Sequence, residues 1–384
     1  MSEYQYYEFL AIDRPLTGEE TSALRQISTR AQITPVSFIN HYNWGDLKGD
    51  PDKLMQHYFD VHVYVANWMT ATFMVRLPID ALSQETVEAF KIRYMLDFES
   101  TKTHWIITWY LEESENYGRF GEEGGQGWMT RLAPVREELL RGDIRSLYIG
   151  WLAAVTHGTI DDDQMEPLPV NGLGDLTPSQ QALAEFLEVD PDLLAGAGIG
   201  SKKFQTVAVS HEKMDSWIDD LPEKQLKAVI RQILEGEGLQ AVRSLQKDFM
   251  AWQREMPKDA DIPPQRSVAA LWENAKKAEK IRLIKEEQKR KQQEAKRRKE
   301  RENFLKDLSK KTPEMWESLQ QTVQRGSGLA YDEVCRSIVD ISEAHGKFGD
   351  PSRFKNELKK FMAGHMRRKA LIQRLVKAGV WKET

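Results

Sequence analysis

Three histidines, four aspartates and a tryptophan fall within HYNWGDLKGDPDKLMQHYFDVH, residues 41–62. Imidazoles beside carboxylates are the residue types that hold metals or exchange protons. A helical zinc pair needs two histidines four apart on one face. His57 and His62 are five apart, which separates them by about 140° on a helix. His41 precedes them on a predicted strand. Asp50-Pro51 reads as a helix start, the carboxylate accepting backbone N–H bonds and the proline setting the first turn. Leu54, Tyr58, Val61, Val65 and Trp68 then predict an amphipathic helix over about 52–68. GDPSRF at 349 repeats GDPDKL at 49 in a stretch with no site-like neighbours, which favours capping over chemistry. What packing leaves unexplained is a candidate polar pocket of His41, Asn43, Trp44 and Asp46 at a strand end.

Other candidate motifs are weaker. YGRFGEEGGQGW is glycine-rich, but it lacks a GK[ST] ending and its glutamates would repel phosphate. IDDDQMEP lacks the spacing and distal glutamate of a calcium loop and reads as a solvated linker. The single cysteine, Cys335, excludes an intrachain disulfide or a cysteine-based zinc site, and it sits on the apolar face of a helix. No nucleophile elbow, HExxH or kinase set occurs. No catalytic residue, metal ligand or cofactor is assigned.

The elements that must position these residues change character along the chain. Residues 1–165 mix strands and helices. YQYYEFLAI, SFINHY, TFMVRLP and HWIITWYL predict strands, the last apolar on both faces and therefore covered on both sides. Thr17 and Glu20 form a capping-box pattern. Helices are predicted around 81–91, 131–141 and 143–157. Residues 166–262 begin as an acidic linker and become helical, with Leu239, Val242, Leu245, Phe249 and Trp252 as a buried stripe. Residues 263–311 form one long charged helix. Residues 312–384 are a small helical domain, opened by Thr312 as N-cap to Pro313 and closed by Gly379. The fold class is thus an α+β N-terminal domain followed by a mostly α-helical C-terminal half with a long charged single helix.

Between Ile284 and Phe304 the long helix has one apolar residue, Ala295, so it has no coiled-coil seam. Acid-to-base pairs four apart, Glu286–Arg290, Glu287–Lys291, Glu294–Arg298 and Glu302–Lys306, each add roughly 0.2–0.5 kcal/mol. Residues 273–311 carry about +8, leaving about −13 on the rest of a chain with net charge −5. Lys289, Arg290, Lys291, Lys296, Arg297, Arg298, Lys299 and Arg301 are the candidate electrostatic contact. The helix is either a solvated spacer or a contact for nucleic acid or an acidic partner. Without aromatics it cannot stack on bases. No apolar run reaches the roughly 20 residues that span a bilayer, and the first residues lack a signal-peptide pattern, so a soluble cytoplasmic protein is expected.

EYQYYEFLAIDRPLT, STRAQITPVSFINHYNWGDLKGDPDKLMQHYFD, GTIDDDQMEPLPV, WIDDLPEKQLKAVIRQILEGEG, RSVAALWENA and RRKALIQRLVKAG together resemble an uncharacterised bacterial protein family over nearly the whole chain. The resemblance implies a protein partner linked to a SWIM-type zinc-finger protein encoded nearby, in nucleic-acid or protein recognition. It carries over no catalytic residue. Two functions are therefore expected to compete. One is a non-enzymatic interaction or scaffold protein acting with a protein partner. The alternative is an enzyme of unknown class with a site near the turn 41–46.

Overall fold

The computed structural model describes residues 4–68, 70–112, 125–203, 211–236, scattered positions between 238 and 252, and 264–382. The chain divides into two compact units, Met1–Ile281 and Arg282–Thr384.

The first unit is built on a seven-stranded sheet in the order β2-β3-β1-β4-β5-β7-β6, every neighbouring pair antiparallel. The strands are β1 (Gln5–Leu10), β2 (Gln32–Thr34), β3 (Ser37–Tyr42), β4 (Val61–Ala66), β5 (Ala71–Pro78), β6 (Leu96–Ser100) and β7 (His104–Leu111). One face meets α1 (Gly18–Ile27) and α2 (Pro51–His57), with Phe9, Phe38, Met74 and Ile106 packed against Leu24, Leu54 and Met55. The other face meets α3 (Gln84–Phe90), α4 (Trp128–Leu132), α5 (Pro134–Leu140), α6 (Arg145–Thr156), α7 (Pro178–Phe186) and α8 (Pro191–Gly198). Alternation along β7 explains the division. Trp105, Ile107, Trp109 and Leu111 serve the larger core, and Ile106 serves the smaller one. α9 (His211–Asp220) and α10 (Glu223–Leu234) follow.

The expected helix over 52–68 is corrected. α2 ends at His57, and Val61–Ala66 is strand β4 between β1 and β5. Leu54, Tyr58, Val61 and Val65 fit a helical period, but Val61, Val63 and Val65 also alternate. Three β-branched residues, stiff at χ1 and buried in one core, settle the strand. The capping expectations hold. Thr17 and Glu20 form a capping box, and Asp50 and Asp350 each accept from the backbone N–H two residues on, with proline next in the chain.

The expected linker is threaded into the first unit. Glu166 N donates to Arg266 O at 2.9 Å, Val268 N to Gln164 O at 2.9 Å, and Val170 and Leu173 are in the core. Asp161–Asp163 are exposed, so acidity at one end masked the apolar residues at the other. Of the stripe expected beyond 238, Phe249 is buried, Val242 is exposed, and Leu239 lies outside the described residues. Most of the glycine-rich run, 117–124, also lies outside them.

The long helix runs Val268–Lys310. Val268, Leu271 and Ala275 belong to the first unit's core. Gly196 of α8 approaches so closely that a Cβ there would lie 2.6 Å from Ala275 N. Leu305 and Leu308 belong to the second unit's core, with residues from helices Thr312–Gln324, Gly328–Phe348, Pro351–Ala363 and Lys369–Lys377. Thr312 does not cap its helix. Its buried hydroxyl lies 3.2 Å from Leu308 O and 3.1 Å from Ser309 O, bonding back to the preceding helix.

Candidate functional site

The turn after β3 is fixed from below. Gln5 is buried at the start of β1, opposite Tyr42. Its amide donates to Gly45 O at 2.8 Å, while its carbonyl oxygen accepts from Tyr64 at 3.0 Å and lies 2.8 Å from the Tyr7 hydroxyl. Tyr7 has one phenolic proton and two acceptors. The Asp46 carboxylate, at 2.6 Å, is the shorter and the charged one. Asp46 Oδ1 also accepts from Leu47 N at 2.7 Å. Gly45 has φ of 78°, a conformation that costs a residue with a Cβ. Burial, and then the bond to Asp46, push the Tyr7 hydroxyl far above its ordinary range. Burial raises Tyr64 to about 12. Both phenols stay protonated at neutral pH and act as hydrogen-bond donors.

The four residues of the candidate polar pocket do not converge. Strand alternation puts Asn40 and Tyr42 on the side of Tyr7, and His41 on the opposite side beside Ile39. Asp46 bonds on the Tyr7 side. His41, Asn43 and Trp44 are exposed, Trp44 by 72%. The arrangement presents an indole on a locked turn and gathers no acid–base pair.

The other two histidines are equally separate. His57 ends α2, with Nδ1 2.7 Å from Lys53 O. His62 is buried in β4, stacked on Phe9 with ring centroids 3.8 Å apart and Nδ1 2.9 Å from Glu8 O. Burial lowers its pKa to about 3, so it is neutral. Among the described residues no group of three or more His, Cys, Asp or Glu could hold a metal ion.

Three buried charge clusters escaped the sequence, two of them because their members are far apart in the chain and the third, Asp143 with Arg145, because nothing local announces its burial. Asp60 accepts from Ile12 N and Asp13 N at 2.6 and 2.8 Å and from Arg76 Nη2 at 2.7 Å. Arg136 Nη2 lies 3.8 Å from it and donates to Asp13 at 2.8 Å. Burial alone would raise the Asp60 pKa. The charges of Arg136 and Arg76, with the two backbone donors, outweigh it and hold the group below its ordinary value. Glu166 takes Tyr148 and Arg266, whose Nη1 also reaches Ala197 O and Ile199 O at 3.0 and 2.9 Å. Asp143 pairs with Arg145, which also donates to Asp175 O at 2.7 Å. Every member is tied to backbone or to an opposite charge, which is a folding role.

Lys289, Arg290, Lys291, Lys296, Arg297, Arg298 and Lys299 are all exposed on the long helix, as is every residue from Glu279 to Glu300. Arg301 is different. It is half-buried and pairs with Asp340 and Glu343, each at 2.6 Å, so it serves the second unit's fold. Of the four expected acid–base pairs, Glu287–Lys291 forms at 2.7 Å, while Arg290 turns to Glu294 at 3.9 Å.

Comparison with protein-family models, with curated proteins and with solved structures gave no match. No helix among the described residues is long and apolar enough to cross a membrane.

Proposed function

We propose that the chain is a non-enzymatic interaction protein that works with a protein partner docked on its first unit around Trp44. The observation that carries this reading is the locked turn. Single exposed apolar side chains are ordinary, but the turn that carries this indole is held by hydrogen bonds from Gln5 to Gly45 and from Tyr7 to Asp46. A turn already fixed loses little backbone entropy on docking, and tryptophans are prominent among interface residues that dominate affinity. His41 and Asp46, which the enzyme alternative needs together, face opposite sides of the sheet. The family resemblance points to a SWIM-type zinc-finger protein, in a nucleic-acid-associated setting, as the first partner to test. Sizing of the chain in native extract after nuclease treatment is the experiment. The reading expects a complex larger than the 44.4 kDa monomer; a nuclease-treated monomer at all loadings argues against it.

A further inference from the structure

The cations of the long helix are sorted around its axis. At about 100° per residue, Lys285, Lys289, Lys296 and Lys299 all fall within about 60° of Gln292, with Gln288 and Asn303 on the same strip. The carboxylates of the same stretch, Glu286, Glu287, Glu294, Glu300 and Glu302, lie about 80° or more away. All these side chains are exposed. The ion pairs obey the same division. Arg282 pairs with Glu286 at 3.2 Å, Lys291 with Glu287 at 2.7 Å, and Arg290 with Glu294 at 3.9 Å. Among the described residues, Lys285, Lys289 and Lys299 have no carboxylate within 4 Å, and Lys296 has only Glu300, at 4.0 Å. The carboxylates thus share one side of the helix with Arg290, Lys291, Arg297 and Arg298, and the other side is left as a row of ammonium groups separated by neutral amides.

We propose that this acid-free face binds the phosphate backbone of duplex nucleic acid without reading its sequence. From Lys285 to Lys299 the row spans about 21 Å, comparable to several phosphates of one strand. Lysine is a compact point charge that binds phosphate without a fixed bidentate geometry, which suits contact with a backbone whose sequence is not read. A membrane-surface helix needs a bulky apolar face opposite its basic one, and Ala295 is the only apolar residue between Ile284 and Phe304. Single strands are bound largely by aromatic stacking, which this stretch cannot supply. Glutamine and asparagine side chains contribute neutral contacts to phosphate oxygens. The proposal goes beyond the protein-partner reading and does not depend on Trp44.

The test is fluorescence anisotropy of purified full-length chain with a DNA duplex and an RNA duplex of about two helical turns, titrated across salt. Four neutralised phosphates predict a slope of log affinity against log salt near about −3.6. Lys285→Gln, Lys289→Gln, Lys296→Gln and Lys299→Gln together should abolish that slope and weaken binding at least about tenfold at low salt, with unchanged helix content by circular dichroism. Arg290→Gln, Lys291→Gln, Arg297→Gln and Arg298→Gln remove the same charge from the remainder of the circumference and should retain binding within about threefold, because the strip is intact. Equal loss in both variants would overturn the proposal in favour of diffuse attraction. So would no duplex binding at low salt, or tighter binding to anionic vesicles or a polyglutamate peptide than to either duplex. These results leave the nuclease-resistant complex untouched, so the two readings fail separately.

Discussion

The sheet of the first unit and the exposed stretch Glu279–Glu300 use charge in opposite ways. Beneath the sheet, Asp60, Arg76 and Arg136 are buried or nearly so, and each is committed to named partners. Along the helix the cations are solvated, and three of the four on one face are unpaired. Removing one partner from a buried cluster strands the other, whereas removing an exposed charge releases a side chain that water already satisfied. The same residue types therefore hold the fold in one place and stand in solvent in the other.

The comparison can be broken at several points. Asp60→Ala should have the largest effect. It removes the carboxylate partner of Arg76, while Arg136 keeps Asp13, and should destabilise the first unit by about 3–5 kcal/mol in urea unfolding. A loss below about 1 kcal/mol would mean that the cluster does not hold the sheet. Acid should act through His62 next. Its pKa falls from near 6.5 unfolded to about 3 folded, so its contribution is complete above about pH 6.5 and drains as pH falls toward 3. The slope approaches about 1.4 kcal/mol per pH unit. Asp60, also lowered, adds a loss only below the ordinary carboxylate value, about pH 4. His62→Phe should therefore flatten the limb between about pH 6 and 4, and an unchanged limb would place the acid sensitivity elsewhere. Gly196→Ala should cost about 1–3 kcal/mol by forcing α8 away from Ala275, read as a lower urea midpoint. At the small end, Glu287→Gln should cost at most about 0.5 kcal/mol, although it breaks a 2.7 Å ion pair.

Local devices were legible in the sequence. Asp50-Pro51, Asp350-Pro351 and the Thr17–Glu20 box declare helix starts within a few residues, and the strands of SFINHY and HWIITWYL match their predicted bounds. The long helix was visible because strong helix formers without glycine or proline leave few alternatives. β4 was hidden because its valines satisfy two periods at once and only the neighbouring strands β1 and β5 choose between them. Asp60 and Arg136 are separated by most of the sheet, and nothing local announces their meeting. In HYNWGD the cluster of residue types was visible, but the tether was not. Gln5 and Tyr7 lie on another strand, and they turn a suspected pocket into a fixed platform for Trp44.

Affinity capture with the full chain from native cells, nuclease-treated and run beside Trp44→Ala, tests the interaction reading most directly. The account predicts one protein partner recovered in near-equal amount by the native chain and lost from Trp44→Ala, with both chains unfolding at the same urea midpoint. Recovery of the same partner by both chains, or of no partner by either, would contradict it.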